Sequence, residues 1–89
     1  MNKHVARLRR LVESLPQVEP DGRQALILAE LQAIDDAFRH EKDALADAVR
    51  HYVVARSRRA PAEERATLYR RVTDALGVLV QAVEHGKRS

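Results

Sequence analysis

Two copies of one pentapeptide carry most of the titratable chemistry of this 89-residue chain: Asp36-Ala37-Phe38-Arg39-His40 and, eleven positions on, Asp47-Ala48-Val49-Arg50-His51. Carboxylate and imidazole can ligate zinc or iron, and an imidazole can serve as a general base near neutral pH. Within each copy Asp and His stand four positions apart, close enough to meet on one helix face. Eleven residues make three α-helical turns to within about 20° of rotation, so both copies point the same way if one helix carries them. Asp36, His40, Asp47 and His51 then form a polar ladder with Asp43 between the rungs. Each rung offers only two ligands, and the copies lie ~16 Å apart along the axis. A metal would therefore need two copies of the chain. The Glu-x-x-His pairs of di-iron bundles are absent from this ladder, which faces away from the expected core. The ladder reads first as a solvated face with weak ion pairs, and a metal-binding helical dimer is the second alternative. No cofactor is expected.

Arginine is the other concentrated chemistry. Residues 21–49 hold seven acids against three bases, whereas residues 50–73 hold seven arginines against two acids. Arg56, Arg58, Arg59, Arg65 and Arg70 gather at one end of the expected fold, and a guanidinium suits bidentate contact with carboxylate or phosphate. An acidic protein partner fits this cluster. A nucleic-acid-binding accessory role is the first alternative, set against a net charge of only +3 and the lack of a zinc finger, RNP aromatic pattern or glycine-rich clamp.

Other classes find little support. The chain has no cysteine, which removes disulfides, thiol nucleophiles and thiolate metal sites. Phosphate loops, nucleophile elbows and zinc-protease motifs are missing, so a non-enzymatic role is expected. No apolar run approaches the ~18 residues that span a bilayer, and the basic amphipathic N-terminal segment lacks aromatic anchors. No membrane partner is expected, and the default compartment is the cytoplasm.

The elements that must position these groups follow from punctuation. With three glycines, three prolines and a composition rich in Ala, Leu, Val, Arg and Glu, the chain reads as all-α. The first helix is predicted over about 2–15, with Asn2 as its cap and Val5, Leu8, Leu11, Val12 and Leu15 at helical spacing. Pro16 to Gly22 reads as a turn. No glycine or proline lies between Arg23 and Ala60, so a second helix is predicted over about 22–58. Pro61, followed by Glu63 and Glu64, opens a third helix that runs to about 85, where Gly86 stops it.

Folding the second and third helices about Ala60-Pro61 pairs Tyr52 with Tyr69, Val49 with Val72, Leu45 with Leu76 and Phe38 with Val83. Gly77 falls level with Ala44, suggesting a close approach of the two backbones. Leu8 should meet Leu28 and Val5 should meet Leu31. Glu41 falls at a core position, where it would reach solvent or pair with an arginine. The expected fold is thus a single domain over 1–89, a three-helix protein in which a short N-terminal helix packs on a long antiparallel hairpin.

That arrangement leaves part of the long helix uncovered. Ala33, Ala37, Ala44, Ala48 and Ala55 line a stripe that would admit another helix. A two-fold axis near Ala44 sets Ala33 against Ala55 of a second copy, Asp36 against His51 and His40 against Asp47. The functional expectation is a small protein–protein interaction module, an adaptor, regulator or inhibitor that also self-associates as a homo-oligomer.

Overall fold

Apolar residues at steps of three and four give each segment a stripe that the fold buries in one shared core. A computed structural model of the chain, describing residues 3–17 and 20–85, contains α1 (Lys3–Ser14), α2 (Pro20–Gln32), α3 (Arg39–Ser57) and α4 (Ala62–His85), with one 3-10 turn at Asp36–Phe38. The all-helical class holds. The three-helix arrangement does not, because the helix expected over 22–58 is two helices, α2 and α3. The expected first and third helices differ from α1 and α4 by a residue at their ends, while Asn2, Gly86 and the tail 87–89 lie outside the described residues. The turn expected at Pro16–Gly22 is shorter, since Pro20 and Gly22 already belong to the first turn of α2. Proline suits that place because its fixed φ matches the helix and its missing N–H would have no partner there.

The break between α2 and α3 needs neither glycine nor proline. Asp35 takes an extended conformation (φ −52°, ψ 137°) and its side chain accepts a hydrogen bond from the Ala37 amide at 2.9 Å. Short carboxylates compete with the helix for backbone donors in this way. The carbonyl of Ile34, beyond the C-terminal end of α2, is satisfied from farther along the chain: Lys42 Nζ donates to it at 2.7 Å and to Asp36 Oδ1 at 3.1 Å. Lys42 is 9% exposed, a buried charged side chain, whereas Glu41, the acid expected at a core position, is half-buried.

Packing explains why the break is favoured. An unbroken helix of that span would be ~54 Å long, against a longest molecular dimension of 42 Å. Once broken, α2 lies alongside both α1 and α3, and covers surface that a straight helix would leave to water. Each helix packs on its neighbours in the chain and α1 closes onto α4, in up-and-down order. One apolar cluster runs through all four, with Leu8, Leu15, Ile27, Leu45, Val49 and Leu79 fully buried.

α3 packs on α4, and of the expected pairs Tyr52 and Tyr69 meet directly. The Tyr52 and Tyr69 rings stand 5.4 Å apart, tilted by 52°, and Val49, Val72, Leu45 and Leu76 share the core. Gly77 departs from expectation: it is exposed, and a methyl group placed on it would meet nothing within 4 Å, so no close backbone approach requires it. At the other end α3 stops in a Schellman motif. Ala60 N–H donates to Ala55 O at 2.9 Å and Arg59 N–H to Arg56 O at 3.1 Å, with Arg59 at φ 59°, the left-handed position that glycine usually fills.

Candidate functional site

The break in the long helix dismantles the polar ladder. Asp36 sits in the 3-10 turn and pairs with Lys42, while His40 is an exposed residue at the start of α3. Asp47 pairs with Arg50 at 3.1 Å rather than with His51, which is exposed. Among the described residues no group of three or more His, Cys, Asp or Glu side chains is placed to hold a metal. The two occurrences of the pentapeptide pattern therefore differ in structural setting.

The alanine stripe is broken as well. Ala33 lies past the end of α2, Ala37 is in the 3-10 turn, and Ala55 is fully buried in the monomer. Only Ala44, exposed, and Ala48, half-buried, remain on the accessible side of α3, so the antiparallel seam that set Ala33 against Ala55 is not a feature of this surface.

The arginines do gather at the α3–α4 end, and three of them donate to acceptors within the protein itself. Arg56 Nη1 donates to the Leu15 carbonyl just past α1. Arg65 Nε donates to the Ala60 carbonyl at 3.0 Å, and Arg58 pairs with Glu64 at 2.7 Å. Guanidinium groups at helix ends satisfy orphan carbonyls and oppose the negative end of the helix dipole. Arg59 and Arg70 are exposed to solvent.

A surface that the sequence analysis passed over lies on α1 and α2. The run Ala25-Leu26-Ile27-Leu28-Ala29 is apolar on every side of its helix. Ile27 and Leu31 face the core, which leaves Ala25, Leu26 and Ala29 on the opposite side, with Leu26 49% exposed. A helix that is apolar all round is ordinarily covered all round. Between Leu26, Ala29 and the half-buried Leu11 of α1 runs an open groove of about 280 Å³, with Arg7, Arg10 and Glu30 at its rim. Glu30 ties the two helices together: it accepts from His4 Nδ1 at 2.8 Å and pairs with Arg7 at 3.4 Å. The His4 contact above all, with help from Arg7 and against the opposing effect of burial, holds its carboxyl below the ordinary value. At the far end of α1 the Tyr69 hydroxyl donates to Val12 O at 2.8 Å, and burial, with Tyr52 and Glu13 adding to it, pushes that phenol up. The bond therefore keeps its proton throughout the physiological range.

A second and larger cleft, of about 440 Å³, separates α2 from α3 and contains Lys42. No described helix is long and apolar enough to cross a membrane. Comparison with known proteins finds no matching family model, no matching curated sequence and no matching solved structure.

Proposed function

We propose that this protein is a non-enzymatic interaction module that pairs with a second copy of itself through the outer faces of α1 and α2. The observation that carries the reading is that α2 has two apolar faces, of which the fold buries one. The patch is also its own complement. Leu26 is a knob beside a groove whose wall includes Leu26 and Ala29, and a two-fold contact requires one surface to serve as both knob and hole.

Charge supports the same pairing. An antiparallel two-fold placed midway between Leu26 and Ala29 sets each Leu26 against Ala29 of the second copy. Arg7, Arg10 and Glu30 border the same groove, so a second copy laid on it meets charges of both signs. This axis replaces the one expected near Ala44. An acidic protein partner for the arginine end has weaker support, because Arg56, Arg58 and Arg65 already have acceptors within the chain.

Light scattering across a concentration series tests the proposal. The expected mass is about twice 10.1 kDa, falling to the monomer in Leu26→Arg while the helical circular dichroism is retained. A monomer at every concentration, or a dimer untouched by Leu26→Arg, overturns it.

A further inference from the structure

The α2–α3 cleft has an apolar floor of Leu28, Leu31 and Ala46 beneath charged side chains of both signs. Which of those charges remain available decides what the cleft can take. Lys42 is committed to the Ile34 carbonyl and to Asp36, and Arg50 is committed to Asp47. Arg39 and Asp43 remain. Both are exposed at the cleft, and neither makes a side-chain hydrogen bond or ion pair among the described residues. They stand four positions apart on one face of α3, ~6 Å along its axis, a spacing at which opposite charges commonly meet. Here they stay apart, a cation and an anion side by side over an apolar floor. A volume of about 440 Å³ lies in the range of small-molecule sites.

From this we infer that the α2–α3 cleft binds a free α-amino acid with an apolar side chain. The guanidinium of Arg39 takes the ligand carboxylate, Asp43 takes its ammonium group, and the side chain rests on Leu28, Leu31 and Ala46. A simple anion would meet only Arg39 and a simple amine only Asp43. The zwitterion satisfies both.

Amide NMR titration with leucine, isocaproate (leucine without its amino group) and isoamylamine (leucine without its carboxylate) tests the inference. Leucine should shift the amides of 28–32 and 39–46 saturably, and each single-charge analogue should bind at least ~tenfold more weakly. Arg39→Gln should cost leucine the same factor while leaving isoamylamine unchanged, and Asp43→Asn should spare isocaproate. Both substitutions lie on an exposed face, so folding is preserved. Absent or non-saturable shifts, equal shifts with all three compounds, or isocaproate binding as tightly as leucine would each overturn the assignment.

Discussion

The chain reverses direction at 58–61 and again at 33–38, and the two reversals are built from different materials. At 58–61 the backbone does the work. A Schellman motif closes α3, Arg59 takes the left-handed conformation, and Pro61 precedes α4. At 33–38 side chains do it, with Asp35 capping forward and Lys42 reaching back eight residues to the Ile34 carbonyl. The first reversal is local, closed by backbone hydrogen bonds between residues 55 and 60. The second depends on a buried lysine that is in place only once α3 has formed and packed. Local sequence spacing therefore announces the first reversal more plainly than the second.

The largest effect should come from breaking that dependence. Lys42→Met would leave the Ile34 carbonyl unsatisfied and Asp36 unpaired, a loss of about 2–3 kcal/mol by urea unfolding. Arg65→Met removes the equivalent carbonyl contact at 58–61, where solvent can substitute, and should cost about 1 kcal/mol or less. Equal costs at the two sites would refute the distinction. Asp35→Ala should cost about 1 kcal/mol through the lost cap. On the other side of the comparison, Arg59→Gly should raise stability by up to ~1 kcal/mol, since glycine carries no penalty in the left-handed region. Gly77→Ala should stabilise α4 by about 1 kcal/mol, because its added methyl meets no neighbour. A destabilised Gly77→Ala variant would restore the close approach to Ala44.

The smallest effect concerns pH. The Glu30 carboxyl is lowered in the folded chain, so its contribution to stability is present above the ordinary value of 4.5 and is lost as pH falls through the lower folded value. Glu30→Gln should flatten the acid limb of a stability–pH curve. An acid limb of unaltered slope would assign it to other carboxylates.

What was legible follows the range over which each feature is determined. Val49, Tyr52, Tyr69, Val72 and Leu76 announce the α3–α4 pairing because heptad spacing and Pro61 fix it locally. The doublet Asp35-Asp36 is an available helix-start signal, outweighed by the absence of glycine and proline. Once the helix was read as continuous, the polar ladder and the alanine stripe followed from it, and both fell with it. The arginine run is visible in sequence, but the carbonyls of Leu15 and Ala60 to which Arg56 and Arg65 donate become visible only in three dimensions. Leu26 was legible in principle: five consecutive apolar residues in one helix exceed what a single buried face can use.

The central claim, that the outer face of α2 pairs with its own copy, is tested most directly by isotope-filtered NMR on a sample mixing labelled and unlabelled chains. The account predicts cross-chain contacts between the Leu26 methyl groups and the Ala29 methyl group. Cross-chain contacts centred instead on Ala44, or none in a sample of dimer mass at these positions, would contradict it.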